Sequence, residues 1–196
     1  MLKRLFDILF SFFGLMLLSP FLLIIALIIK LTSKGPVFFK QERIGLNGKP
    51  FKLYKYRSMR VDAEKSGQLT VGGRDPRITG IGYFIRRFKI DEFPQFINIL
   101  KGEMSFVGPR PEVRRYVELY NEEQRRVLEV RPGLTDYASI KYIDENEILG
   151  ASDDPEKTYI EEVMPDKLKL NLKYIDEVGI VADIKLIFKT VFKIFS

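Results

Sequence analysis

The chain contains neither cysteine nor histidine. Without cysteine there is no disulfide framework and no thiolate metal site, which agrees with a reducing, cytoplasm-facing compartment. Without histidine there is no imidazole base, no histidine-based triad and no zinc–histidine centre. Acid–base or nucleophilic chemistry therefore falls to carboxylates, lysine, tyrosine, water or the phosphate of a substrate. Acidic residues are outnumbered, 26 against 32 Lys and Arg, for a net charge of +6. That balance fits an anionic partner, either nucleic acid or a lipid surface. No recognised nucleic-acid motif occurs, and the basic residues are interleaved with apolar ones. A lipid bilayer is the expected partner, and nucleic acid is not. At 196 residues the chain suits one compact domain with an appendage.

What the chain has instead is a long apolar run. Ile8 to Ile29 is uncharged and long enough to span a bilayer at about 1.5 Å per residue. It is too long for a cleaved signal peptide and lacks a small-x-small site before Lys30. Two features argue against a simple span. Ser19-Pro20 sits at its middle, where Pro20 deprives the Met16 carbonyl of its amide donor; the Ser19 hydroxyl is placed to substitute. Basic residues also flank both ends, Lys3 and Arg4 before, Lys30, Lys34 and Lys40 after, whereas a spanning helix shows positive charge on one side. A bent hairpin accounts for both. Each half, about 11 to 14 residues or roughly 16 to 21 Å, reaches the depth of one leaflet of a ~30 Å core. Proline kinks also occur in spanning helices, so the residues alone leave re-entrant and spanning placements open.

The second informative stretch runs from Arg86 to Glu112, RRFKIDEFPQFINILKGEMSFVGPRPE. Phe93, Phe96, Ile97 and Leu100 fall on one helical face. Pro94 is tolerated if it lies in the first turn, and Gly102 is a C-terminal stop. Asp91 and Glu92 then open the helix, where its positive end favours ionised carboxylates. Adjacent acids at such a position are commonly a cap and a first-turn acid. The setting points further, because Arg86, Arg87 and Lys89 precede the pair and Arg110 follows. A carboxylate can attack phosphorus if a metal ion and fixed cations neutralise the phosphate. Spacing carries the reading as far as a candidate phosphoryl-transfer site.

Around these stretches the pattern is mixed. Val37-Phe38-Phe39 reads as a short strand, joined through an Asn47-Gly48 turn to a second strand over Phe51 to Met59. Lys52, Lys55, Arg57 and Arg60 form either a solvated strand edge or a basic wall facing phosphates. Residues 61–77 read as a polar loop with one helical turn. Ile81, Phe84, Ile85 and Phe88 predict a basic amphipathic helix, in the core or in the membrane interface. A helix is predicted over Glu112 to Leu128, ended by Arg131-Pro132-Gly133, and two more over 156–163 and 166–176, separated by Pro165. Val181 to Phe195 closes the chain as a helix with a Lys185, Lys189, Lys193 strip, either interfacial or docked on the core. The expected fold is α/β and helix-rich, with a small β-hairpin or sheet.

The block IDEFPQ…GEMSFVGPRP closely resembles the signature of the bacterial sugar transferases, specifically the small monotopic polyprenyl-phosphate phosphoglycosyl transferases. The likeness continues through PVFFKQERIGLNGKPFKLYKYRSM, DPRITGIGYFIRR, VRPGLT and ADIKLIFKTV, nearly the whole chain. The resemblance implies a re-entrant membrane helix broken at Ser19 and Pro20 within residues 1–34, and a membrane-associated catalytic domain over residues 35–196. Amphipathic interfacial helices and a place on the cytoplasmic face of the bacterial inner membrane come with it. It also implies a two-step reaction. An aspartate, by position Asp91, attacks the sugar-linked phosphate of a UDP-sugar and releases UMP; polyprenyl phosphate (undecaprenyl phosphate) then takes the phosphosugar, as the first membrane step of glycan assembly. Glu92 is implied as the partner of Asp91, with magnesium (Mg2+) at the pair. Arg86 and Arg110 are implied to contact phosphates, and Pro109-Arg110-Pro111 to shape the nucleotide pocket. The expected partners are the UDP-sugar, polyprenyl phosphate and the lipid bilayer; a homodimer is left open. TDYASIKYIDE departs from the commoner family pattern: Asp136 stands in place of a Gly, a downstream Gly-Arg is missing, and Lys141 is a candidate for the missing cation. The departure bears on sugar recognition more than on phosphoryl chemistry.

Overall fold

The computed structural model describes residues 2–63, 67, 69–72 and 75–195. Its first element, α1 (Leu2–Thr32), is helical throughout with Pro20 inside it. The family resemblance implies a helix broken at Ser19-Pro20; here the helical hydrogen bonding runs through the pair. The Ser19 hydroxyl donates to the Met16 carbonyl at 2.8 Å, filling the acceptor that proline leaves without its amide. Asp7, Ser11, Leu22, Ile25 and Ile29 are buried, and Leu15 and Leu18 pack with them. These positions recur every three or four residues, so they form one stripe along the helix. The other faces are apolar and uncovered, with Leu17 79% and Leu31 76% exposed.

Both ends of α1 are bonded to the same body. Near its start, Arg4 donates to the Ile99 and Leu100 carbonyls at 2.6 and 3.0 Å, and Asp7 accepts from the Phe106 amide at 3.1 Å. Lys3 pairs with Asp183 and donates to the Val107 carbonyl. At the far end the Tyr56 hydroxyl donates to the Leu22 carbonyl at 2.8 Å. Buried Arg57 donates to Ser33, at 2.8 Å to its carbonyl and 2.6 Å to its hydroxyl. Arg57, one of the residues read as edge or wall, is therefore a cap for the last turn of α1.

Strands β1 (Phe38–Ile44) and β2 (Pro50–Tyr56) form an antiparallel hairpin in which Phe38 faces Tyr56 and Ile44 faces Pro50. Asn47 and Gly48 both take positive φ, 55° and 72°, as an Asn-Gly turn requires. The turn is longer than two residues, however, because the Gly45 amide bonds the Lys49 carbonyl around it. Among the described loop residues, Arg77 pairs with Asp75 and donates to the Gly67 and Leu69 carbonyls, at 2.7 Å each. The expected helical turn there falls partly on residues outside those described.

Helix α2 (Gly80–Arg87) is capped by Thr79, whose hydroxyl accepts from the Gly82 amide at 3.0 Å. It packs Ile81, Ile85 and Phe88 against α1 and leaves Tyr83 and Phe84 exposed. Helix α3 (Gln95–Lys101) follows and stops at Gly102, which takes the left-handed conformation at φ 84°. The short strand β3 (Ser105–Val107) comes next.

The predicted helix over Glu112 to Leu128 does not form as one. Only α4 (Arg114–Val117) is α-helical, and a 3-10 segment covers Gln124–Glu129. Asn121 and Gln124 exchange side-chain bonds with each other's amides, at 2.8 and 3.0 Å, where the helix would have continued. Strand β4 (Gly133–Thr135) pairs with β3 in parallel. A Cβ on Gly133 would lie 2.1 Å from the Gly108 amide nitrogen, so this crossing demands glycine.

Helices α5 (Tyr137–Lys141), α6 (Glu145–Gly150) and α7 (Pro155–Thr158) are short. A π turn over Tyr159–Val163 leads into α8 (Met164–Asp176). Pro165 does not separate two helices; it lies in the first turn of α8, where its missing N–H is tolerated. Helix α9 (Ile180–Phe195) buries Leu186 in the cluster that holds Phe96, Ile99, Met104 and Tyr174. Among the described residues the architecture is helix-rich α/β with two two-stranded sheets.

Candidate active site

Asp91 and Glu92 sit on a single 3-10 turn, Ile90–Glu92, entered through Lys89 at φ 54°. The sequence predicts them in the first turn of the following helix. That helix begins later, at Gln95, with Pro94 as its cap, because proline accepts the N-terminal position and the turn before it closes with 3-10 bonds. Both acids are buried, 4% and 9% exposed.

Their environments differ. Glu92 Oε1 accepts from Lys55 Nζ at 3.0 Å and from one Arg110 nitrogen, and Oε2 accepts from the other at 3.3 Å. Burial by itself would raise this carboxyl, but Arg110 and Lys55 outweigh it and hold Glu92 well below the usual range. Asp91 Oδ1 is buried with no hydrogen-bond partner. Burial raises its pKa and the charge of Glu92 adds to the rise, against a partial pull from Lys55. Lys55 in turn is lowered by burial, with Glu92 working the other way. One carboxylate is neutralised by fixed cations, and its neighbour is left with a free oxygen.

A cavity of about 440 Å³ opens at the pair. Lys55, Arg86, Lys89 and Arg110 line it on the charged side, and Phe88, Phe106 and Leu134 on an apolar side. Arg86 comes from the last turn of α2 and donates to the Thr70 hydroxyl at 3.2 Å. Arg110 is fixed through its backbone: its amide donates to Asp136 Oδ2 at 3.0 Å. Asp136 Oδ1 caps α5 by accepting from the Ser139 amide at 2.5 Å. The residue that departs from the family pattern is thus a buried brace between the Pro-Arg-Pro corner and α5.

The structure brings Asp91, Glu92, Arg86 and Arg110 to one cavity, but Pro109 and Pro111 lie off it. Their carbonyls face the scaffold, accepting from the Gly133 amide and from Arg43 at 3.0 Å each. Ser19 and Pro20 lie on the uncovered side of α1. Lys141 does not supply a cation to the cavity; it pairs with Asp166 at 2.6 Å on the surface. The cation in this half is Lys167, which lines the cavity and pairs with Glu145 at 2.8 Å.

Of the cavity's supporting residues, Lys55 is the member of the predicted edge or basic wall that lines the cavity, Asp136 is marked in the sequence only as a departure from the family pattern, and Lys167 is not singled out. Lys55 left a signal. It shares the parity of Phe51 and Leu53, the inward positions of β2, and a lysine in phase with a buried face needs an anion there.

Among the described residues no three acidic side chains converge as a ready-made metal centre. Magnesium in phosphoryl-transfer sites usually takes one or two carboxylates, with substrate phosphates completing its shell. The free Asp91 oxygen fits that donor set, with Glu92 adjacent.

Comparison with known proteins identifies the family. The family model described as bacterial sugar transferase matches residues 1–196. The chain is 42% identical over 200 residues to the UDP-glucose:undecaprenyl-phosphate glucose-1-phosphate transferase of Escherichia coli (strain K12), covering 98% of this chain and 40% of that protein. It is 42% identical over 198 residues to the exopolysaccharide production protein PSS of Rhizobium leguminosarum bv. phaseoli, covering 97% and 93%. The UDP-N-acetylgalactosamine-undecaprenyl-phosphate N-acetylgalactosaminephosphotransferase of Aeromonas hydrophila is 37% identical over 195 residues, covering 97% and 43%. This chain therefore spans about two fifths of the Escherichia coli and Aeromonas relatives and nearly all of the Rhizobium one. With the whole chain matched and this cavity at its centre, the protein belongs to the bacterial sugar transferase family.

Proposed function

We propose that the protein is a phosphoglycosyl transferase that moves a sugar 1-phosphate from a UDP-sugar to polyprenyl phosphate through a covalent intermediate on Asp91. The observation that carries this reading is the buried, unpartnered Oδ1 of Asp91 at a cation-lined cavity. In the first step that oxygen attacks the sugar-linked phosphorus. The bond from phosphorus to the bridging oxygen breaks, its electron pair leaves with UMP, and an aspartyl phosphosugar forms. In the second step a phosphate oxygen of the lipid attacks the same phosphorus. The bond to Asp91 breaks, the carboxylate is restored, and a polyprenyl diphosphate sugar departs. No proton has to be moved, which suits a chain without histidine.

Lys55, Arg86 and Arg110 lower the repulsion between the attacking anion and the phosphates. Glu92 holds Lys55 and Arg110 in place. Magnesium, held by Asp91 with Glu92, would supply further neutralisation of phosphate charge. The names of the relatives, which speak of undecaprenyl phosphate and sugar 1-phosphates, support the choice of substrates.

The same reading places the enzyme on one face of the membrane. Crossing a bilayer would put the two ends of α1 on opposite sides, yet Arg4 and Leu22 both bond to the one catalytic body. Its uncovered apolar faces fit hydrocarbon. A monotopic placement at the cytoplasmic face of the bacterial inner membrane, where UDP-sugars are available, satisfies both. Incubation with radiolabelled UDP-sugar and no lipid acceptor is expected to release UMP and label Asp91. Release of UDP, or a label that never enters the protein, would overturn the proposal.

A further inference from the structure

The lipid acceptor must bring a charged phosphate to Asp91 while its hydrocarbon stays out of water, and α9 is built for that passage. Ile187, Thr190, Val191 and Ile194 line the cavity. Their spacing of three and four residues puts them on one side of the helix. A second side is apolar and exposed: Val181, Phe188 and Phe192 are 68%, 71% and 77% exposed. At about 100° per residue, Val191 falls between the two. Among the described residues of α9 it is the one that both lines the cavity and is half exposed, at 50%. Beyond the exposed side come Lys185, Lys189 and Lys193, the order expected where a helix meets lipid head groups.

The buried side of α9 is joined to α1. Lys3 near the start of α1 pairs with Asp183 in the first turn of α9, and Tyr174 donates to Asp183 at 2.7 Å. The first turns of the two helices are therefore held at one fixed point, and α9 forms one wall of the cavity.

We infer that α9 is the acceptor's threshold. The polyprenyl chain lies against Phe188 and Phe192 on that exposed side, beyond the reach of Val181 at the start of the helix, and the units nearest the phosphate cross at Val191 into the cavity. This inference rests on the proposed transferase reading and adds the lipid's route to it. It separates the two half-reactions in space: the donor needs the charged wall, and the acceptor needs α9.

The test uses the full chain in lipid nanodiscs. The adduct is formed with labelled UDP-sugar, then chased with a long-chain polyprenyl phosphate or a water-soluble short-chain analogue. Val191→Gln is expected to keep the UMP burst within twofold and to slow discharge to the long-chain acceptor at least tenfold, with a smaller effect on the short one. Phe188→Gln, at a residue 71% exposed, is expected to move the same way. Val181→Gln, more than two turns away, is expected to leave discharge within twofold. The inference is overturned if Val191→Gln discharges at the unsubstituted rate. It is equally overturned if Val181→Gln is slowed as much as Val191→Gln, since α9 would then only anchor the protein. If the unsubstituted enzyme forms no adduct, the transferase reading fails first and takes this one with it.

Discussion

Asp91, buried, and Glu112, mostly buried, are carboxylates near the Pro-Arg-Pro corner, and they are treated in opposite ways. Glu112 accepts from Arg43 at 3.2 Å, from the Tyr159 hydroxyl at 2.5 Å and from the Val113 amide at 3.2 Å, with Lys167 at 4.0 Å. Burial works to raise its pKa, but Arg43, Lys167 and the Tyr159 bond bring it below the usual glutamate range. Asp91, with a free oxygen and a raised pKa, has no such closure. A satisfied buried acid joins elements; an unsatisfied one costs stability and is kept for reactivity. Glu112 ties β1 and α4 to the π turn before α8, whereas Asp91 faces the cavity.

The widest contrast comes from removing each charge in turn. Asp91→Asn is expected to abolish the labelled adduct and lower turnover by at least about 10³-fold. It leaves the melting temperature unchanged or higher, because the lost carboxylate had a partnerless oxygen. Glu112→Gln is expected to do the reverse. The adduct still forms, but Arg43 and Lys167 lose their shared anion at a cost of about 2 to 3 kcal/mol, a fall of roughly 4 to 12 °C in melting temperature. A variant at Glu112 that melts normally, or one at Asp91 that turns over normally, would erase the distinction.

The same comparison has a pH form. Because the folded pKa of Glu112 is depressed, its contribution is complete above the ordinary glutamate value of about 4.3. It is lost as pH falls through the lower folded value. Melting temperature measured across the acid range should fall more steeply in the unsubstituted protein than in Glu112→Gln, and the two curves should converge at the acid end. Parallel curves would mean the carboxylate is not ionised against Arg43.

Lys55 links the two kinds of acid site, since it is paired with Glu92 yet lies within reach of Asp91's field. Lys55→Met is expected to slow UMP release about 10²-fold, with little change in melting temperature because Arg110 still holds Glu92. Pre-steady-state UMP release is the readout, and an unchanged burst would confine Lys55 to a structural role.

Much of this was legible in the residues, and the parts that were not have a common cause. The Gly102 stop and the positive φ at Asn47 and Gly48 follow from local rules that hold whatever lies nearby. The face predicted from Phe93, Phe96, Ile97 and Leu100 is only partly right: α3 buries Gln95, Phe96, Asn98 and Ile99, and Phe93 precedes the helix. The acid pair with Arg86 and Arg110 was visible because a short stretch of sequence carries all four. Asp136 and Lys167 were not visible in that way. One braces a corner 26 residues away, and the other answers Glu145 across 22, distances over which no spacing rule operates. Helix propensity over Glu112 to Leu128 was misleading for the opposite reason: local preference was there, but Asn121 and Gln124 offered the backbone a competing set of bonds.

The smallest effect concerns the apolar helix, where the logic of satisfied and unsatisfied groups reaches the membrane. Pro20 removes the donor that the Met16 carbonyl would have had, and the Ser19 hydroxyl replaces it at 2.8 Å on an uncovered face. In hydrocarbon no water can take that place. Ser19→Ala therefore leaves one acceptor open, costing about 0.5 to 1 kcal/mol and roughly 1 to 4 °C in melting temperature. Ser19→Thr keeps the hydroxyl and is expected to match the unsubstituted protein. In detergent micelles, where water reaches the helix more freely, the alanine deficit should shrink. An alanine variant equally stable in bilayer and micelle would show that the carbonyl finds water at that depth, and that this turn of α1 lies at the surface instead of within the leaflet.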